Sequence, residues 1–197
     1  FEAWFMGLCF EVNHDVLIPR SPIAELLRNR LQPWVEDLQP RRILDLCCGS
    51  GCIGIAAALV FEEAEVVISD ISPAALAVAR RNVVRHGVGE GGTVVESDLY
   101  AGLEGCFDLI LTNPPYVDAE DMASLPAEYL HEPRLGLASG ADGLDCTRRI
   151  IDQARGYLTN EGILLGEVGN SLPALLANYP DLPFVLPDLE YGGDGLF

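Results

Sequence analysis

The chain has 197 residues, 49% hydrophobic and 21% charged, enough for one domain around a single core. Twelve Lys and Arg against thirty Asp and Glu leave a net charge of -18, which argues against a module that wraps a nucleic-acid backbone and suits a basic partner or a soluble cytoplasmic enzyme. No apolar run approaches the ~20 residues of a membrane span, and no charged-then-apolar leader precedes a small-residue cleavage site, so neither a membrane nor secretion is indicated.

In chain order, Phe1 opens the sequence in place of Met, so the chain reads as a fragment without its N-terminal portion. Phe1 to Ile18 reads as an extended or hairpin arm and Pro22 to Leu31 as a helix, giving an arm and linker at residues 1–40 ahead of the main domain at 41–197. Arg42 to Cys47 has a buried-strand pattern, followed by a glycine-containing turn and an alanine-rich helix, Ile53 to Phe61. Glu65 to Asp70 is the next strand. Ser72 as N-cap, Pro73 at the first helical position and Gly87 as a stop bound a helix ending near His86. Thr93 to Glu96 and Phe107 to Thr112 are strands three and four. Pro114 to Asp145 shows no convincing period and reads as a functional loop. Cys146 to Leu158 then reads as a helix, Gly162 to Val168 as a fifth strand, Ser171 to Tyr179 as a short helix, and Phe184 to Leu189 as a sixth strand between Pro183 and Pro187. Strands alternating with helices predict an α/β fold, a mostly parallel sheet with helices on both faces.

The six cysteines (9, 47, 48, 52, 106 and 146) include no Cys-x-x-Cys pair, and His14, His86 and His131 are scattered. They read as reduced packing thiols, with no disulfide and no metal expected.

Three segments carry chemistry. In Asp45-Leu-Cys47-Cys48-Gly49-Ser50-Gly51, a strand ends in a glycine turn that opens a helix, where backbone can approach a ligand closely and free N–H groups face it. Taken alone, the turn serves equally as a tight connection without a ligand. Asp70 closes the second strand 25 residues after Asp45, placed to accept both hydroxyls of a ribose, or to sit as an acid favoured at a helix N-terminus. Together, turn and acid indicate an adenosine-type cofactor. Asn113-Pro114-Pro115-Tyr116 stands directly after the fourth strand. Its prolines fix φ and supply carbonyl acceptors without N–H donors, Asn113 adds a side-chain acceptor and Tyr116 a flat face, a set that suits a planar –NH2 group.

These residues, with Ser97-Asp98, resemble the class I S-adenosylmethionine-dependent amino-methyltransferases. The flanking text, Phe5 to Phe10, Leu17-Ile-Pro-Arg-Ser-Pro-Ile-Ala-Glu25, His131-Glu-Pro133 and Asp142-Gly-Leu144, is similar to the protein-glutamine methyltransferases of the HemK family. Pro-Arg-Ser-Pro resembles the branch that acts on the third large-subunit ribosomal protein, the alternatives being the release-factor branch and, less favoured, a DNA or RNA amino-methyltransferase. The resemblance implies a Rossmann-like fold, S-adenosylmethionine as cofactor with S-adenosylhomocysteine as product, and a basic protein substrate. It implies a family helical N-terminal domain that is absent here and a last antiparallel strand that could only begin at Gly195-Leu-Phe197. It places Cys47, Cys48, Gly49, Ser50 and Gly51 along the methionine part of the cofactor, Asp70 on the ribose, Asp98 and Leu99 near the adenine, and the Ile18 to Ser21 loop near the site. Asn113, Pro114, Pro115 and Tyr116 then hold the substrate amide, with Asn113, Pro114 and Tyr116 as the catalytic residues and Asn113 also beside the cofactor. Cys47 stands where the family usually has a glycine, and Glu167 is left without a role. The acids Asp118, Glu120, Asp121 and Glu128 are expected to steer a basic substrate toward Asn113.

Overall fold

The sheet is built around a buried central strand. Strand β3 (Arg42–Leu46) is buried on both faces, as a central parallel strand must be when helices cover both sides. It pairs in parallel with β4 (Glu65–Asp70) and β6 (Phe107–Thr112), and outer strands β5 (Gly92–Glu96) and β7 (Leu158–Gly166) complete the order β5-β4-β3-β6-β7. The computed structural model describes residues 1–89, 92–124, 132–190, 192–193 and 195–197.

The two faces separate by the strand period. Ile43, Val66, Ile68, Leu109 and Leu111 pack with α2 (Cys52–Val60) and α3 (Pro73–His86), while Leu44, Leu46, Val67 and Ile110 meet α5 (Asp145–Ala154) on the other side. Ser72 caps α3 by accepting from the Ala75 N–H at 3.3 Å, and Gly87, at φ 68°, ends it. The arm forms a hairpin, β1 (Glu2–Phe5) with β2 (Leu8–Glu11), closed by Met6 and Gly7 at φ 52° and 80°. Phe5 and Phe10, with Ile23, Leu26 and Leu27 from α1 (Ile23–Arg28), enter the same core as α2.

Several elements differ from expectation. The helix predicted to Leu158 ends at Ala154, and Leu158 instead opens β7, which starts four residues early and shifts register between Phe107 and Leu109. The long loop holds a short helix, α4 (Ala119–Ser124), whose first N–H groups, from Glu120 and Asp121, both donate to Asp118 Oδ1. Glu128 and His131 lie outside the described residues. Phe184 to Leu189 forms no strand: Pro183 and Pro187 lack N–H donors, and Phe184 packs edge-on against Phe197 beside the last helix, α6 (Leu172–Asn178). The C-terminus does add antiparallel pairing to β7, through the Glu167–Leu196 bridge and reciprocal 3.0 Å bonds between Gly166 and Phe197. All six cysteines are free thiols. No helix among the described residues is long and apolar enough to cross a membrane.

The fit of α2 to the sheet depends on Gly54, where a Cβ would lie 2.8 Å from Asp45 Cβ, Asp45 Oδ2 and Ile68 Cγ1. Gly54→Ala should therefore destabilise the protein by about 1–3 kcal/mol in urea unfolding. Gly89→Ala, with nothing within 4 Å, should be near neutral.

Candidate active site

At the boundary between β3 and β6 the sheet order reverses, the place where open parallel sheets bind ligands. Leu46 pairs with Thr112 across that boundary, so Cys47 and Asn113 leave the sheet side by side. Polar side chains of the neighbouring strands fasten this edge: Thr112 Oγ1 donates to the Leu46 carbonyl at 2.9 Å and Ser69 Oγ to the Asp45 carbonyl at 3.3 Å. A cleft of about 770 Å³ opens above it, walled by the arm loop from Asp15 to Ser21, the glycine turn, the ends of β4, β5 and β6, and the start of α5.

The turn after β3 runs through left-handed backbone at Cys47, Gly49 and Gly51, with φ 61°, 53° and 78°. Cys47 thus keeps the conformation a glycine would take. Its thiol meets that of Cys146 on α5; the hydrogen bond they share, and then burial, push Cys47 up, while the same bond lowers Cys146. A Cβ on Gly49 would meet nothing within 4 Å, so that backbone faces open cleft, whereas a Cβ on Gly51 would lie 3.3 Å from Ala79 Cβ, so Gly51 serves packing of α2 on α3. The Gly49 N–H and the Ser72 N–H donate to the two oxygens of Asp70, each at 2.9 Å, fixing a half-buried carboxylate at the cleft rim. Beneath the turn, Asp45 is fully buried. Its Oδ2 accepts from the Gly54 N–H at 2.7 Å, and its Oδ1 has no partner among the described residues. Burial raises this carboxyl to about 7, against the lowering Gly54 bond and with help from the Asp70 charge.

Cys48, Ser50, Asp98, Leu99, Asn113, Pro115 and Tyr116 also line the cleft, while Gly51 and the buried Pro114 do not. Asp98 is held by both of its oxygens to Arg149 Nη2 at 2.9 Å, and Leu99 is buried at φ 52°. Asn113 is half-buried, and its side chain makes no hydrogen bond among the described residues. Tyr116 packs its ring on Gly169, where a Cβ would come within 2.8 Å of the ring edge, and its carbonyl accepts from Ser171 Oγ at 3.1 Å. The Tyr116 hydroxyl donates to Glu167 at 2.8 Å.

Sequence reasoning missed the residues that fasten these parts. Asn82, fully buried in α3, donates to the carbonyls of Ser50 (2.9 Å) and Glu11 (3.0 Å) and accepts from the Glu11 N–H (2.8 Å), joining the glycine turn to the hairpin. An asparagine on the apolar face of a helix, between Ala79 and Val83, was the available signal. Arg149 and Cys146 carry no such local mark. Arg20 forms a two-pronged ion pair with Glu132, both bonds 2.7 Å, tying the arm loop to the segment beyond α4.

A sequence model of the Methyltransferase small domain matches residues 24–174. The chain is 49% identical over 197 residues to a protein of Francisella tularensis named ribosomal protein uL3 glutamine methyltransferase, and 47% identical over 195 residues to one of the same name from Neisseria gonorrhoeae. The matches cover 99% and 98% of the chain but span only 63% and 65% of those relatives. Among solved structures, the hMettl16 catalytic domain, in complex with an RNA hairpin, superposes with a TM-score of 0.67 at 21% identity, over 93% of this chain and 69% of that one, a likeness of fold.

Asp45 makes stability fall with pH. Its native pKa near 7 lies above the unfolded value, so the native state binds the extra proton between about pH 4 and pH 7. Over that window its contribution should decline with rising pH by up to ~1.4 kcal/mol per unit, and urea unfolding of Asp45→Asn should lack that decline.

Proposed function

Because the chain belongs to the Methyltransferase small domain family, we propose that it transfers a methyl group from S-adenosylmethionine to the side-chain amide nitrogen of a glutamine in ribosomal protein uL3. The observation that carries this reading is the placement of Asn113-Pro114-Pro115-Tyr116 beside the glycine turn, in one cleft at the reversal of strand order. The names of the two curated relatives support the substrate.

The residues present fit the cofactor. Gly49 leaves open room against its backbone, and Asp70, pinned by two N–H donors, keeps carboxylate lone pairs for a pair of ribose hydroxyls. Cys47, Cys48 and Ser50 line the neighbouring stretch for the methionine part, and Asp98 and Leu99 flank the adenine position. Gly51 acts by packing. Bound there, S-adenosylmethionine supplies an electrophilic sulfonium methyl carbon.

The chain's own task is to make a poor nucleophile reactive. An amide nitrogen shares its lone pair with the carbonyl. Asn113 Oδ1 accepts one amide hydrogen and the Pro114 carbonyl the other, a role that needs no exposure of the Pro114 ring. Both bonds strengthen as positive charge develops on nitrogen, so they favour the transition state over the ground state. Tyr116 and Pro115 wall the amide plane and exclude water. The proton leaves afterwards to solvent, and no side chain here is required as base.

The partner is a basic protein. With a net charge of -18, the chain attracts a cationic substrate over distances limited by salt to ~8 Å at physiological strength. Asp121 lies on the cleft wall, whereas Asp118 is engaged in starting α4.

Three outcomes are expected. Calorimetry should detect S-adenosylhomocysteine binding and no NADH binding. Asn113→Ala should lower kcat by ~10²–10³ while leaving cofactor affinity nearly unchanged. With the full-length enzyme, labelled S-adenosylmethionine should mark unmodified uL3 in preference to release factor or RNA, with a kcat/KM that falls as salt is added and a steady kcat. Label on release factor or RNA alone would overturn the substrate assignment.

A further inference from the structure

Glu167 lies just beyond β7, only 6% exposed, where three chain segments meet. Its backbone N–H donates to the Thr112 carbonyl at 3.1 Å and it bridges Leu196 of the C-terminal segment. One carboxylate oxygen accepts from the Tyr116 hydroxyl at 2.8 Å and the other from Ser21 Oγ at 2.6 Å. Ser21 in turn accepts from the Ile23 N–H at 3.2 Å as α1 begins. We propose that Glu167 is a positioning residue for methyl transfer: its buried carboxylate sets the Tyr116 wall of the amide site and fastens the arm loop to that wall. The inference rests on the methyl-transfer reading and adds a residue to it.

The chemistry of the group supports the assignment. An ionised carboxylate only accepts, so both hydroxyls must point at it, and the phenol hydrogen of Tyr116 is withheld from the substrate. The ring is then fixed between this bond and Gly169. Filling space behind a tyrosine requires no charge, and a neutral side chain of similar volume avoids the desolvation of a carboxylate. Two hydroxyl donors and the Arg20 charge compensate that desolvation here, yet burial still holds the carboxyl above its usual range. Among the described residues the titratable or charged groups that face it are Tyr116 and, from the arm, Arg20; Leu196 opposite is apolar. When the carboxyl takes a proton, one of its oxygens becomes a donor and can no longer accept, so the pair of hydroxyl bonds loosens its hold on Tyr116. Turnover should therefore show an acid limb that belongs to Glu167.

The test compares wild type, Glu167→Gln, Tyr116→Phe and the double variant in the full-length enzyme with unmodified uL3. Glu167→Gln should lower kcat about tenfold, abolish the acid limb and leave S-adenosylhomocysteine affinity unchanged. In the Tyr116→Phe background the same change should have little further effect, because the two act as one unit. Additive losses, a retained acid limb or a matching loss of S-adenosylhomocysteine binding would overturn the proposal. A readout free of substrate separates this from the function itself. In ring-labelled protein the Tyr116 resonance should follow one acidic titration in the wild type, and a Tyr116 signal blind to it would overturn the positioning role. Wild-type enzyme that binds S-adenosylhomocysteine but methylates no glutamine counts against the methyl-transfer reading, while the resonance still decides on Glu167.

Discussion

The pairing of Leu46 with Thr112 at the carboxyl ends of β3 and β6 decides where everything else in the site goes. From that register the chain after β3 turns one way into α2 and the chain after β6 turns the other way into the Asn113 loop. A crevice must open between them, because no crossover covers the point where winding reverses. The hydroxyl of Thr112 bonded to the Leu46 carbonyl makes the edge rigid at the last residue pair before the two loops separate. A slip of one residue would exchange the faces of β6 and bury the wrong side chains, so the two hydrophobic layers defend the register as firmly as the ladder does.

Above that edge the backbone is held in conformations that most residues resist. Cys47 and Leu99 both line the cleft at positive φ, and each such non-glycine residue costs on the order of 1–2 kcal/mol. Local bonds fix both positions: the Cys48 N–H donates to the Ser69 carbonyl at 3.0 Å, and the Ser97 hydroxyl bridges the Leu99 carbonyl and the Gly102 N–H. The turn around Cys47 brings the Gly49 N–H to Asp70, so the strain and the fixing of that carboxylate at the cleft rim have one cause. Asp45 extends this logic below the surface, holding the start of α2 through a single oxygen while the other finds no partner among the described residues.

The sheet was legible because each inner strand is a short apolar run with a turn after it. Glu65–Asp70 and Phe107–Thr112 appear with the bounds read from sequence, and the Ser72, Pro73 and Gly87 punctuation bounds α3 as expected. The glycine turn, Asp70 and the Asn113 loop were legible for the same reason, each being local in sequence and adjacent to a strand end. What failed was set by distant partners. Leu158 fits either a helix end or a strand start, and its pairing with Phe107 decides for the strand. Phe184 to Leu189 is apolar but has no strand to join once two prolines interrupt its donors. Glu167 and Asn82 take their meaning from partners up to 146 residues away, which no local pattern records.

The arm shows how far such distant bonds reach. Residues Asp15 to Ser21 wall the cleft although the arm contributes no strand to the main sheet. The arm lies along α3: Glu11 pairs with Arg81 at 2.8 Å, Glu2 pairs with Arg85, and Val12 and Val16 pack on Ala75 and Val78. α3 begins at the same Ser72 whose N–H orients Asp70, so the arm and the proposed ribose acid are referred to one helix. At its other end the arm reaches the Asn113 loop through Ser21, Glu167 and Tyr116. The exposed ion pairs contribute little individually, but the buried Asn82 and Glu167 bonds do not compete with water. A displacement of the arm would therefore strain both halves of the cleft at once. That coupling gives the Pro19–Pro22 loop influence over the placement of Asn113 to Tyr116 without any requirement that it touch those residues.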